Sequence, residues 1–266
     1  MKYDYIFWDW NGTLIDDVEI SIRSVNISLA KRNLPLMDLE RYDRTFSFPV
    51  INYYKGLGFD FEKEPYDKLA VEYMDNYISL LPYSKLKANA ESVLKRLHML
   101  KVPQYVLSAS EKILLLSELK KYSISDYFND VIALDNIYAK GKIELAQEWF
   151  ARNPLEGRKI LIGDMPHDFE VASALGMDCA LICGGHSTRE KLEKLGAPVF
   201  NDIKEVFNFI LDIPKQSASY KYRTGKGEDI KSYDFSEIDV SKAESFKTAY
   251  KDFYDDVKNT TKTEDW

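Results

Sequence analysis

The chain has 266 residues, a net charge of −7, 45% hydrophobic and 30% charged residues. These are ordinary globular values and exclude collagen-like, low-complexity and wholly disordered classes. An acidic chain without a basic block also lacks the clustered Lys and Arg that displace counterions from nucleic acid, so no nucleic-acid partner is expected. The length fits one large domain or two unequal ones, with enough chain to bury a sizeable core. Cys179 and Cys183 lie in an apolar run and read as reduced thiols rather than a disulfide framework. The N-terminus carries Asp4 and only a short apolar stretch, and no run approaches the ~20 apolar residues that span a bilayer. A soluble cytoplasmic protein is expected, with no membrane contact.

Residues 3–8 are β-rich and end on Asp9, which predicts a short buried strand running into a polar turn. Val18, Ile22, Val25 and Leu29 then recur at helical spacing. Phe48-Pro49 and Gly56-Leu57-Gly58 break the mixed stretch 36–65, and Tyr66, Leu69, Tyr73 and Tyr77 are again helically spaced. Residues 16–82 thus read as a helical insertion, with Arg41, Arg44 and Lys55 as candidate contacts for an anion. Phe46, Phe48, Tyr53 and Tyr54 would shape a pocket mouth or the insertion's own core.

From Lys85 the pattern changes. A helix carrying Ala90, Val93, Leu94 and Leu97 is followed by predicted strands at 102–107, 131–134, 159–162 and 179–182. Helices at 111–121, 143–150 and 169–175 separate these strands, and a last helix covers 203–211. Strands alternating with helices predict an α/β fold, a Rossmann-like parallel sheet with helices on both faces. The core would comprise residues 1–15 and 83–213. Residues 214–266 form a C-terminal extension of charges and scattered aromatics, with an amphipathic stretch at 246–257 that predicts a helix.

In such sheets ligands bind outside the carboxyl ends of the strands. Those ends carry Asp9-Trp10-Asn11-Gly12-Thr13-Leu14, Leu107-Ser108, Lys140 or Lys142, and Gly163-Asp164 followed by Asp168. Carboxylates, a hydroxyl and an ammonium together suit a phosphoryl group with Mg²⁺: hard oxygen ligands for the metal, donors and a cation for the phosphoryl oxygens.

In this order and spacing the sequence resembles the haloacid dehalogenase superfamily, in the phosphoglycolate phosphatase-like branch with a helical cap after the first motif. The matching motifs are DWNGTL at 9–14, VLS at 106–108, Lys142 (or Lys140), and GDMPHD at 163–168. The resemblance covers residues 3 to about 211 and implies a Mg²⁺-dependent phosphatase acting on a small phosphorylated metabolite. It implies Asp9 as nucleophile and metal ligand. The Asn11 carbonyl and Asp164 would be further ligands, and Asp168 would bind metal through water or orient the lysine. Ser108 and Lys142 would hold phosphoryl oxygens, with Trp10, Thr13, Ala109 and Arg44 completing the substrate site. One position departs from the pattern: Asn11 stands where the family's phosphatases usually carry the aspartate that protonates the leaving oxygen. General acid–base help is worth roughly 10²- to 10⁴-fold. Three outcomes follow. The enzyme is slow or prefers good leaving groups; Asp16, Asp17 or His167 supplies the proton; or phosphate binding survives without catalysis. The last would make the chain a phosphate-binding protein acting through residues 215–266, as a homodimer contact or a protein-partner site. A metal-free haloacid dehalogenase fits less well, because it has no need of both Asp164 and Asp168. His186, in Gly184-Gly185-His186-Ser187-Thr188, reads as a loop and helix-cap element.

Overall fold

The computed structural model describes residues 1–134, 141–213, 220–223 and 230–233. It divides into two units, Met1–Leu211 and Asp212–Trp266. In the first, β1 (Tyr5–Trp8) leads to a two-residue strand, β2 (Ile15–Asp16), and then to four helices: α1 (Val18–Lys31), α2 (Leu39–Thr45), α3 (Val50–Leu57) and α4 (Tyr66–Leu80). Strand β3 (Lys85–Leu86) returns beside β2 as an antiparallel pair. The alternating part follows: α5 (Ala90–Met99), β4 (Gln104–Glu111), α6 (Lys112–Lys121), β5 (Asp130–Leu134), α7 (Lys142–Arg152), β6 (Lys159–Gly163), α8 (Pro166–Ala174), β7 (Asp178–Ile182), α9 (Arg189–Glu193), β8 (Val199–Phe200) and α10 (Ile203–Ile210).

Six strands form one sheet in the order β5-β4-β1-β6-β7-β8, and every pairing is parallel. Parallel strands need crossovers, and the intervening helices cover both faces. Side-chain alternation divides the strands between two cores. Ile6, Trp8, Val106, Ile160, Ile162 and Ala180 face one, while Phe7, Tyr105, Leu107, Leu161, Cys179 and Leu181 face the other. This is the expected Rossmann-like α/β architecture. The pair β2–β3, α9 and β8 are additions to the sequence reading. Each has five residues or fewer, too short for a periodicity to register.

Helices α1–α4 pack around a core of their own, which includes Val25, Leu29, Tyr42, Tyr53, Tyr54 and Leu69. No helix among the described residues is long and apolar enough to cross a membrane. In the second unit, β9 (Tyr220–Arg223) and β10 (Ile230–Tyr233) pair antiparallel, Tyr220 opposite Tyr233. The helix expected at 246–257 lies outside the described residues, as does Lys140.

Candidate active site

Strand β1 lies inside the sheet between β4 and β6, so the polar turn after it opens at the sheet's carboxyl edge. The Asp9 N–H donates to the Ile162 carbonyl at 2.8 Å and ties this turn to β6. Lys142, the first residue of α7, is buried. Its Nζ donates to Asp9 Oδ1 at 2.7 Å and to Asp168 Oδ1 at 2.6 Å. Burial pushes the Lys142 pKa down, but Asp168 and Asp9 more than offset this and hold the ammonium charged. Asp168 Oδ2 accepts from the N–H groups of Asp164, at 3.1 Å, and Met165, at 3.0 Å, so both its oxygens are engaged. It stands in the first turn of α8, where the helix dipole favours an anion.

Asp164 ends β6. Its Oδ1 accepts from Thr13 Oγ1 at 3.0 Å, and its Oδ2 from the His186 N–H at 2.5 Å. Gly12 allows this approach: its φ is +72°, and a Cβ there would collide with the Asp164 carboxylate and the His186 ring. Gly185 is closed in the same way by Asp164. Carboxylate oxygens of Asp9, Asp164 and Asp168 all come within 4.8 Å of one another. Burial, opposed by Lys142 and reinforced by the other two acids, pushes Asp9 up to about 7. Burial likewise pushes Asp164 up to about 6 despite His186. Three buried carboxylates around one ammonium are short of positive charge, and hard oxygen donors converging there fit a divalent cation such as Mg²⁺.

A second network stands beside the first. Asp17 accepts from four donors: the Gly12 N–H at 2.8 Å, Asn11 Nδ2 at 2.8 Å, Tyr77 hydroxyl at 2.8 Å and His186 Nε2 at 3.1 Å. Burial raises its pKa, yet His186, Asn11 and Tyr77 bring the net shift below the usual carboxylate value. His186 shows the mirror effect. Burial lowers its pKa, but Asp17 first and Asp164 next bring it up to about 9. As an imidazolium it also donates from Nδ1 to the Tyr42 hydroxyl at 2.8 Å. The Asn11 amide is engaged on both sides. Nδ2 also bonds the Tyr77 hydroxyl at 2.9 Å, and Oδ1 accepts from Ser110 Oγ at 2.6 Å. Asn11 is therefore a fixed tie between the core and α4.

These groups floor a cavity of about 310 Å³. Asp9, Asn11, Ser108, Lys142, Asp164 and Asp168 line it on the sheet side, and side chains of the helical segment wall the other. Ser108 and Ala109 reach it where the register of β4 against β5 shifts between Leu107 and Glu111. Ser108 Oγ accepts from the Ser110 N–H at 3.1 Å.

The structure therefore brings together Asp9, Asn11, Ser108, Ala109, Lys142, Asp164 and Asp168. Between the two lysine alternatives, Lys142 meets Asp9. The side chains of Trp10 and Thr13 lie beneath the cavity rather than lining it. The Trp10 ring is fully buried with its N–H on Glu118 at 3.0 Å, and Thr13 holds Asp164. Arg44 as a substrate contact is corrected: it pairs with Glu40 at 3.2 Å, is largely exposed, and does not line the cavity. Arg41 turns to the carbonyls of Pro35 and Leu36, and Lys55 is exposed off the cavity. Asp16 pairs with Lys87 at 3.0 Å. His186, Tyr42, Tyr77, Ser110 and Glu118 were not legible from sequence. His186 alone had a signal, since its loop follows the carboxyl end of the core strand β7.

A family model for haloacid dehalogenase-like hydrolases matches residues 6–182. A search of curated proteins finds no match. Among solved structures, a predicted phosphatase from Clostridium acetobutylicum superposes with a TM-score of 0.66 at 21% identity, covering 80% of this chain and 100% of that one. A haloacid dehalogenase-like hydrolase from Streptococcus pneumoniae gives 0.67 at 19%, covering 77% and 97%. A predicted phosphoglycolate phosphatase from Haemophilus somnus gives 0.63 at 15%, covering 81% and 99%. At these identities the superpositions speak for the fold, and the matched span of the family model speaks for the lineage: the chain belongs to the haloacid dehalogenase-like hydrolases.

Proposed function

We propose that the protein is a Mg²⁺-dependent phosphatase that hydrolyses a small phosphomonoester through an aspartyl-phosphate on Asp9. The observation that carries this reading is the Asp9–Lys142–Asp168 chain beside Asp164 on the floor of the cavity. Asp9, Asp164 and the Asn11 carbonyl would hold the ion, which when bound neutralises charge and polarises the phosphoryl group. An Asp9 oxygen attacks phosphorus while the ester P–O bond breaks and its electron pair leaves with the alcohol oxygen. Lys142, aimed by Asp168, and Ser108 hold phosphoryl oxygens, and the backbone N–H groups at Trp10 and Asn11 add donors. Water then cleaves the acyl phosphate, releasing phosphate and restoring the carboxylate. The helical segment 16–82 acts as a cap that excludes bulk water from this sequence.

A second reading has an observation of its own. The Asn11 amide is neutral and fully hydrogen bonded, as in a site kept for phosphate binding with little turnover. Residues 215–266 would then act as a contact for a second copy or another protein. Phosphate release from a phosphomonoester panel, with and without Mg²⁺, separates the two. Turnover in the wild type that disappears in Asp9→Asn supports the phosphatase. Phosphate binding without turnover supports the alternative.

A further inference from the structure

We infer that the phosphoryl group is carried on an aromatic ring, so that the substrate class is an aryl phosphomonoester. This rests on the phosphatase reading and narrows it. The cavity has one polar floor and a mainly aromatic wall, which Ser21 and His167 also join. Phe46, Phe48, Tyr54, Tyr66, Tyr73 and Met74 line the side facing Asp9, and Leu114 extends this wall from α6. The rings meet edge to face, Phe46 on Phe48 with centroids 6.0 Å apart and Tyr54 on Tyr73 at 6.3 Å. Such a lining offers both faces and edges to an incoming ring. The volume of about 310 Å³ is at the small end of the roughly 300–1,000 Å³ of ligand pockets and leaves room for a compact leaving group.

Charge points the same way. Among the described residues, Lys142 is the lysine or arginine that lines the cavity, and it is already bound to two carboxylates. The acids Asp17 and Glu118 also line it, and Glu118 Oε1 is buried without a partner. The His186 imidazolium lines the cavity as well, but Asp17 and the Tyr42 hydroxyl already engage its two ring nitrogens. A leaving group with its own carboxylate or second phosphate would therefore meet acids and rings there, at a desolvation cost poorly offset.

Leaving-group chemistry agrees with the walls. Asn11 gives up no proton, and its amide is tied to Asp17, Tyr77 and Ser110. An alkoxide, whose conjugate acid has a pKa near water's ~15.7, needs a proton to depart. A phenolate, at ~10 like tyrosine, leaves with the ester electron pair and takes its proton from solvent afterwards.

The test compares kcat/KM of the full chain with Mg²⁺ for phenyl, ethyl, choline and glycolate phosphates. Beside it, calorimetry measures binding of benzylphosphonate and methylphosphonate, which are not hydrolysed. The expected result is a preference for the aromatic member of at least about ten-fold in both, the low end of what an apolar pocket gives for one added group. Phe48→Ala and Tyr66→Ala, each at a partly exposed position, should reduce that preference. Across substituted phenyl phosphates, kcat/KM should fall steeply as the phenol pKa rises.

Equal or better turnover of ethyl or glycolate phosphate would overturn the inference and leave the phosphatase standing. Choline phosphate outrunning phenyl phosphate would overturn it in favour of an aromatic cage for a cation, with Glu118 as counter-ion. A flat dependence on phenol pKa would contradict unassisted departure and turn attention to His167 on the cavity wall. Selective benzylphosphonate binding without any hydrolysis would support aryl recognition while sinking the phosphatase. Failure to bind either phosphonate, with no hydrolysis, would overturn both.

Discussion

The two walls of the cavity are built on opposite principles. The sheet side is a lattice of charge: Asp9, Asp164 and Asp168 around Lys142, then Asp17 around His186, each carboxylate aimed by at least one donor within about 3 Å. The helical side is aromatic and makes few polar contacts to the floor, through the hydroxyls of Tyr42 and Tyr77. A charged floor fixes the geometry of a reaction, because each group is held by partners that lose a bond if it moves. An apolar wall selects by shape and by what it declines to solvate. Chemistry and selection are therefore separable, and substitutions on the two sides should fail differently.

The largest effect is expected on the floor. Asp9→Asn should lower kcat about 10⁴-fold or more, the scale seen when a nucleophile is removed, with KM little changed, as phosphate release under saturating Mg²⁺ would show. Lys142→Ala leaves two buried carboxylates without their ammonium, and breaking a buried pair in this way costs about 3–5 kcal/mol. Urea unfolding should show that loss, and Mg²⁺ should recover more stability in this variant than in the wild type. If Lys142→Ala is as stable as the wild type without metal, the floor is not the charge-balanced lattice described.

The joint between the walls gives smaller, pH-signed effects. The folded-state pKa of His186 is raised to about 9 from an ordinary 6.5. Its contribution is therefore full below pH 6.5 and lost as pH rises through 9. His186→Gln should erase this loss, so wild-type and variant unfolding energies should converge between pH 7 and 10. Asn11→Asp would set a carboxylate where the amide lies 2.8 Å from Asp17, and two like charges so close must share a proton. The variant's melting temperature should drop more at pH 8 than at pH 5. Tyr42→Phe, which removes one hydrogen bond to His186, should cost about 1 kcal/mol and leave this pH dependence in place.

Sequence revealed the two walls unequally. The acidic centre of the floor was readable because Asp9, Asp164 and Asp168 stand just past a strand or at a helix start, and alternating apolar runs fix where those ends fall. Asp9 after β1 and Asp164 just past β6 needed only that alternation and their residue types, whereas the motif lysine stayed open between Lys140 and Lys142 until the structure placed Lys142 on Asp9. Joints between walls left no such trace. Tyr42 and His186 are 144 positions apart, and Asn11 and Tyr77 are 66 apart. A hydroxyl on a helical face looks the same in sequence whether it meets solvent or a buried acid. Arg44 illustrates the converse error. A cation in the helical segment invites pairing with a substrate anion, yet Glu40, one turn earlier on the same helix, is a nearer partner and takes it. Thr13 and Trp10 were placed at the right site, but their side chains turn away from the cavity. Thr13 steadies Asp164, and Trp10 packs into the core with its N–H on Glu118.

Whether the floor transfers a phosphoryl group to its own aspartate is the claim on which the rest depends. The protein with Mg²⁺ and ³²P-labelled phenyl phosphate, quenched in acid within one turnover, should carry label on the peptide containing Asp9 and lose it on chase with unlabelled substrate. Phosphate release with no label on that peptide, or label on another residue, would contradict the account.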